Sequence, residues 1–533
     1  MGNADMTAFA RRGRRAALGL FILAPLGLAS GSMAPALAQD SALRVGLAAN
    51  ITSLDPHFHV IGSNSALARN VFDGLVNQDD QQRLVPGLAS EWKAVDDTTW
   101  EFRLREGARF HDGTPVEAED VAASLRRVPN VRNSPSSYLP FVRPIAAVEV
   151  VDARTLRIRT REAYPLLPNS LSRIAILPRG LEKAESTDFN SGKAMIGTGP
   201  YRFVAYAPGD RVELEAAQPG QGAWSKVTFR FIPNNASRVA ALLSNDLDLI
   251  ESVPTTDIEK LRGDRRVTLS SAASNRVMYL HLDHEREQSP FVRGRDGAAI
   301  PNALRDARVR QALSLAIDRR ALVARVMDGE GAPAGQLVPE HYFGHVPGLA
   351  APAADLNAAR RLLAEAGLAG GFQLTLHAPN DRYPNDEKVA QALAQMWTRA
   401  GITTKIEAQP GNVYFTRASN REYSLIMGGA AAETGEASSV MRPLLATYNP
   451  EKGDGSGNRG RYSNPEFDRL LTEAQRTVDD ARREALLRQA TGLAVQENGV
   501  IPVLFFANSW ASRPGINYRP RSDGWTLAIN ATR

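Results

Sequence analysis

The sequence predicts a mixed α/β chain of two or three domains, and three observations carry that prediction. Segments that alternate apolar and polar residues recur to the C-terminus, interleaved with stretches whose apolar residues fall at helical spacing. No internal repeat and no long low-complexity tract interrupts them. With 533 residues, 43% of them hydrophobic, the chain can bury ample cores. Periodicity leaves α/β and α+β arrangements both open, and it does not give the topology.

Residues 1–38 read as an export signal. Arg11, Arg12, Arg14 and Arg15 form a positive head, a mostly apolar stretch follows from Ala16, and Ala36-Leu37-Ala38 fits a small-x-small cleavage site before Gln39. The apolar stretch is short for a membrane span, and Pro25, Gly27, Ser30 and Gly31 interrupt it. The paired arginines admit the twin-arginine route, but the residues after them fit it only partly, so Sec and Tat both stay open. No later segment approaches a spanning length, and a periplasmic, soluble protein is expected. The absence of cysteine excludes disulfides, thiol catalysis and a lipid-modified cysteine. The pI near 9.4 invites a nucleic-acid reading. Removing residues 1–38 takes four arginines and Asp5 from totals of 63 basic and 58 acidic, leaving 59 and 57. With no Lys/Arg cluster beyond the leader, no nucleic-acid partner is expected.

The run 100–127 begins as an alternating strand, with Trp100, Phe102 and Leu104 on one face and Glu101, Arg103 and Arg105 on the other. Asp112-Gly113 suits a turn with positive φ, and Pro115 fixes the chain before a helix. Glu117, Glu119 and Asp120 place negative charge in that helix's first turns, where the dipole favours it. Residues 154–160 alternate as a half-buried strand. The stretch 309–327 reads as one helix, its face made by Leu313, Ala316, Ile317, Val323 and Val326. Val389, Leu393, Met396, Trp397 and Ala400 predict another, ended by Gly401. The loop 451–465 is Gly/Asn-rich and expected to be mobile. A late helix through Leu486, Leu487, Ala490, Leu493 and Ala494 precedes the apolar strand VIPVLFFA.

Metal and enzyme chemistry find little footing. Of the eight histidines, His341 and His345 have an i,i+4 spacing, but Gly344 and Pro347 argue against a helix there. His284-Glu285 lacks the second histidine of a zinc-protease helix, and His57, His59, His111, His281 and His377 form no ligand pattern. No metal site and no cofactor are expected. There is no Gly-x-Ser-x-Gly elbow and no phosphate-binding glycine loop. A Ser-x-x-Lys pair, Ser90 and Lys93, keeps a secreted hydrolase as the different-class alternative, although its companion motifs are missing.

The run 100–127 closely resembles the signature of extracytoplasmic solute-binding proteins of the peptide/nickel/opine class (family 5), which feed ABC importers. NITSLDPHF, VFDGLV, LVPGLASEW, IGTGPYRF, LLSNDLDLIESVP, RVRQALSLAIDR, AARRLLAEAGLAGGF and RYSNPEFDRLL follow in the family's order, so the resemblance covers nearly the whole mature chain. It implies a two-lobed periplasmic-binding-protein fold, type II and cluster C-like, closing on a ligand, with an extra domain on the first lobe. By that analogy residues 39–74, 195–280 and 505–533 form lobe I, 75–194 the extra domain and 281–504 lobe II. The implied partners are a short peptide or related small molecule and the permease subunits of an importer, with the protein itself monomeric and not an enzyme.

A zwitterionic peptide asks for an anion at its amine and an arginine at its carboxylate. Segment 427–439 lies where the family has Gly-Trp, then an acid, then Asp-Pro. The resemblance places Glu433 at the acid that holds the ligand's amine and Glu436 at the second acid. Ala430 replaces the tryptophan and Ala437 the proline, which points to a wider or differently shaped pocket and keeps opines, glutathione-like peptides, sugar conjugates and nickel chelates as alternative ligands. Arg382 falls on the arginine that pairs with the ligand's carboxylate, and its planar fork can hold that group bidentately. Asn380 and Tyr383 flank it. Tyr138 lies near a region where relatives place an aromatic over the ligand, and Asn275 beside the crossing between lobes. Packing or a hinge role is the alternative for those two.

Overall fold

Two long strands, Thr268–Leu282 and Ile501–Ser512, run antiparallel through the middle of the molecule. The computed structural model describes residues 41–533, so the export-signal reading of residues 1–38 lies outside the described chain. Nearly every residue of Ile501–Ser512 is buried, the pattern of a central strand covered on both faces. Around this pair the sheet divides. On one side Leu249–Glu251, Ala42–Leu47, Lys226–Phe231, Arg211–Ala216 and Tyr201–Ala207 follow in spatial order. On the other stand Leu425–Ala431, Phe372–Pro379 and Val292–Gly294, with Ile402–Gln409 pairing in parallel to Phe372–Pro379.

The pairing of the two long strands slips between Ala273 and Val277. A bulge there bends the strand and strengthens its twist, and it falls where the partners change from Ile501–Ser512 alone to Leu425–Ala431 as well. Asn275 sits in that slip. Its N–H donates to the Ser522 carbonyl at 2.9 Å and its own carbonyl accepts from Ala432 N–H at 3.1 Å.

A separate four-stranded antiparallel sheet, Ala89–Asp96, Thr99–Leu104, Thr155–Thr160 and Ile145–Val150 in spatial order, belongs to residues 75–176. It buries Trp100, Phe102, Leu104, Leu156 and Ile158 in a core distinct from those of the large sheet. The expected strand, turn and helix over 100–127 are present. Gly113 has φ 86°, and the helix Ala118–Arg127 opens with a reciprocal cap in which Glu117 and Asp120 satisfy each other's backbone N–H groups. The last residue of that helix, Arg127, is 2% exposed and grips Asp55 of the LDP loop through two bonds of 2.9 and 2.7 Å, while Ser186 Oγ donates to the same carboxylate at 2.7 Å.

Two elements differ from expectation. The stretch 309–327 is two helices, Ala307–Leu315 and Arg319–Arg325. Asp318 ends the apparent periodicity by capping the second, its side chain accepting from Ala321 N–H at 2.9 Å. Arg319, 2% exposed, then bonds the Ser314 and Pro502 carbonyls at 2.9 Å. The loop 451–465 contains no regular element, yet it is pinned rather than free. Fully buried Asn458 donates to the carbonyls of Ala446 and Tyr462 at 3.0 and 2.7 Å, and Arg442 pairs with Asp454 at 2.6 Å. The helices Asp386–Ala400, stopped by Gly401 at φ 105°, and Asp480–Gln496 match their sequence reading.

Candidate functional site

The strand Leu425–Ala431 pairs with Arg276–Leu282 and then enters the loop 432–436, which lies at the junction of the two halves of the large sheet. Three side-chain amides hold that loop by its carbonyls. Gln82 donates to Glu433 O at 3.1 Å, and Asn169 and Gln78 donate to Thr434 O at 2.7 and 3.3 Å. Gly435 has φ 79°, and a Cβ there would stand 2.5 Å from the Gln82 carbonyl, so the turn requires glycine. Gln82 is 2% exposed, and its other amide atom accepts from Asn275 Nδ2 at 2.8 Å and from the Tyr342 hydroxyl. One glutamine therefore ties the loop, the bulged strand and residues 339–349 together.

Glu433 and Glu436, three residues apart, take different surroundings. The Glu433 side chain is 51% exposed and faces Arg173, its carboxylate 3.9 Å from a guanidinium that is itself 7% exposed and lies over the Trp525 ring at 4.8 Å. Glu436 is 3% exposed. Burial pushes its carboxyl upward, while Arg483 at 3.1 Å and the Ser438 hydroxyl at 2.5 Å act against that. Its two carboxylate oxygens are thus engaged by Ser438 and Arg483 in a buried ion pair.

Arg382 and Tyr383 stand where the strand Phe372–Pro379 runs out toward the helix Asp386–Ala400. Tyr383, 8% exposed, lies over Gly429, where an added Cβ would come within 2.7 Å of the ring. Its hydroxyl accepts from Gly429 N–H at 2.8 Å, and burial pushes its pKa up against the nearby Arg382 and Arg276 charges. Arg382 is exposed, with its guanidinium 5.4 Å from the Tyr383 ring centroid. Asp386 fixes the local backbone by accepting from the Arg382 and Tyr383 N–H groups at 3.0 Å. Asn380 is exposed, and its N–H bonds the Gln409 carbonyl at 3.1 Å.

Arg276 connects these pieces. It is half-buried, and burial followed by repulsion from Arg382 lowers its pKa, while Tyr383 and Glu433 act the other way. Arg382, Tyr383 and Glu433 are thus each near enough to Arg276 to bias its charge. Nothing in the sequence singles out Arg276, Arg173 or Gln82. Gln82's positive φ of 58° is visible only in three dimensions.

Tyr138 is elsewhere, whereas Asn275 adjoins the loop 432–436. Tyr138 is 3% exposed in the core of residues 75–176, with its hydroxyl 3.1 Å from Ser65 Oγ. Asn275 spends both backbone groups and its side chain at the crossing, as a hinge residue would. Ser90 donates to the Arg103 carbonyl at 3.2 Å and Lys93 pairs with Glu101 at 3.3 Å, so the two act separately. Residues 340–348 form turns with His341 at φ 75°, and the His341/His345 spacing has no helix to align it. Among the described residues no group of three or more His, Asp or Glu is placed to hold a metal ion. A crevice of about 1450 Å³ lined by Trp92, Trp100, Tyr342, Glu436 and Arg483 takes in neither Glu433 nor Arg382. The charges, not that volume, mark the site.

Comparison with known proteins agrees with this architecture. The chain is 26% identical over 510 residues to the periplasmic murein peptide-binding protein MppA of Escherichia coli K12, covering 90% of each. It is 28% identical over 496 residues to the glutathione-binding protein GsiB of the same strain, covering 90% of this chain and 92% of the relative. The fold matches the solved structure of HbpA2 from Haemophilus parasuis with a TM-score of 0.80 at 22% identity, over 92% of this chain and 99% of that one. It is the two-lobed, type II periplasmic-binding-protein fold. The model of the bacterial extracellular solute-binding proteins, family 5 (middle), matches residues 83–452, more than half the chain, and the protein belongs to that family of ABC-importer receptors.

Proposed function

We propose that the protein receives a short peptide or a related amino-acid conjugate between its lobes in the periplasm and hands it to the permease of an ABC importer. One observation carries this reading: around the strand Leu425–Ala431, among the described residues, a carboxylate, Glu433, has only Arg173 at 3.9 Å, and a guanidinium, Arg382, has only the ring of Tyr383, which packs on Gly429, so both are open to a ligand's ends. Glu433 receives the ligand's amine and Arg382 its carboxylate, with Tyr383 as the apolar wall. The relatives' peptide and glutathione ligands support the class. Residues 39–74, 195–280 and 505–533 act as lobe I, 75–194 as its extra domain and 281–504 as lobe II, with residues 1–38 directing export by the Sec or Tat route and the receptor acting as a monomer. Ligand stabilises the closed form only by its differential affinity for that form. Ala430, opposite Val277 where the family has tryptophan, leaves room for a bulky conjugate.

Native mass spectrometry of the purified protein tests this directly. A bound peptide or amino-acid conjugate is expected, and its addition to stripped protein must raise the melting temperature in proportion to ligand excess. Recovery of a sugar, or of a metal chelate lacking any amino-acid part, would overturn the reading.

A further inference from the structure

We propose that Arg276 is a second carboxylate receptor beside Arg382, so that the site selects peptides or conjugates carrying net negative charge. This rests on the reading of the site given above and narrows its ligand class. The sheet register fixes where Arg276 points. It stands opposite Ala431, two residues before Met278, which stands opposite Gly429. Alternation along a strand puts Arg276 and Met278 on one face, and Met278 shares its core cluster with Tyr383, whereas Val277 and Tyr279 belong to another. Arg276 therefore leaves the strand on the side where Tyr383 lies over Gly429 and Arg382 lies over Tyr383.

Among the described residues the Arg276 guanidinium has no hydrogen bond or ion pair, and the Arg382 guanidinium has only its contact with the Tyr383 ring. The acids nearby are committed. Asp381 Oδ1 accepts from Gly411 N–H at 2.7 Å, and Asp386 uses both oxygens on backbone N–H groups at 2.9–3.0 Å. Glu433 is left, and it also faces Arg173 at 3.9 Å. Arg173 and Arg276 thus share the one carboxylate of Glu433, and Arg382 has no carboxylate partner among the described residues. By contrast, fully buried Arg238 donates to the Ile232 and Ser252 carbonyls and to Asn235 at 2.7–2.8 Å. The like charges of half-buried Arg276 and exposed Arg382 disfavour each other, and a ligand with one carboxylate can satisfy only one of them. A second carboxylate, from an acidic side chain or a γ-linked glutamate, completes the set through charge-assisted bonds.

Isothermal calorimetry with Ala-Ala-Ala, Ala-Glu-Ala and glutathione on the full-length mature protein tests this. Wild type is expected to bind Ala-Glu-Ala or glutathione at least tenfold tighter than Ala-Ala-Ala. Arg276→Gln is expected to erase that preference while changing Ala-Ala-Ala affinity less than threefold, and Arg276→Lys to restore part of it, with unchanged melting temperatures showing that both variants fold. Equal wild-type affinities for all three probes, or a preference that survives in Arg276→Gln, would overturn the inference and leave the peptide reading standing. Failure of every probe to bind wild type would remove the peptide reading, and the inference with it.

Discussion

Between the LDP loop and the helix Ala118–Arg127, Arg127 gives two nitrogens to Asp55, Ser186 adds a third bond, and both charged side chains are almost wholly out of water. Around the strand Leu425–Ala431, Arg276 and Arg382 make no ion pair among the described residues, and Glu433 has a single distant partner. The residue types are the same in both places, but their saturation differs. A charge paired with its counter-charge out of water holds a fold together. A charge kept partly open costs stability and is free to meet a ligand. Glu433 and Glu436 repeat the contrast within one loop, since Arg483 saturates only the second.

The largest effect should come from breaking the saturated cluster. Arg127→Ala leaves Asp55 buried without its cation, a loss of about 3–5 kcal/mol. Urea unfolding should show it as a lower midpoint at constant slope, and a shift under about 1 kcal/mol would mean that the pair is replaceable. His57, fully buried in the same cluster with Nε2 2.8 Å from the Ala175 carbonyl, gives the next effect. Burial and then Arg127 lower its pKa to about 4, against the attraction of Asp55. The unfolded chain, with a histidine near its ordinary value, binds the proton more readily between pH ~6.5 and ~4. Stability is therefore full above that window and falls within it by about 1.4 kcal/mol per pH unit for this group. His57→Gln should flatten the difference in urea midpoint between pH 7.5 and 4.5, and an unchanged difference would assign the acid sensitivity to other groups.

How much of this was readable before the structure follows from distance along the chain. The strand, turn and helix of 100–127 rest on neighbours: alternation, Asp112-Gly113, and Glu117 with Asp120 three residues on. The Arg127–Asp55 pair, 72 residues apart, is outside any local pattern. Over 309–327 the apolar period runs on through Asp318, and only the cap breaks it. Arg382 and Glu433 were reached through the family's register and not through physics. That register gave Glu433 and Glu436 different places but not their surroundings, because the burial of Glu436 against Arg483 is made 47 residues downstream. Arg276 became visible once pairing with Ala431 fixed its face.

Gln82 offers a smaller break in the comparison, because it is saturated yet lies against the cleft. Gln82→Ala removes partners from Asn275, the Tyr342 hydroxyl and the Glu433 carbonyl together. A cost of about 1–3 kcal/mol is expected, since these groups lose bonds that water replaces only in part. If the loop 432–436 is held mainly by Gln82, ligand affinity measured on the same variant should fall as well. Unchanged affinity would assign the loop to Asn169 and Gln78.

The open charges should give the mildest change in stability and the clearest change in binding. Glu433→Gln and Arg382→Ala each remove one partner of a terminal group of the ligand, and each should weaken a peptide tenfold or more, about 1.4 kcal/mol. Their unfolding midpoints should stay within about 0.5 kcal/mol of wild type, because neither side chain is saturated by protein. Glu436→Gln must behave in the reverse way, lowering stability by leaving Arg483 only the exposed Asp480 as counter-charge, while keeping affinity within a factor of about 3. Calorimetry and urea unfolding on the same three variants place each on two axes. Should Glu433→Gln lose stability and keep its affinity, its 3.9 Å contact with Arg173 would be the purpose of that residue. The two glutamates would then differ only in how deeply the same structural role is buried.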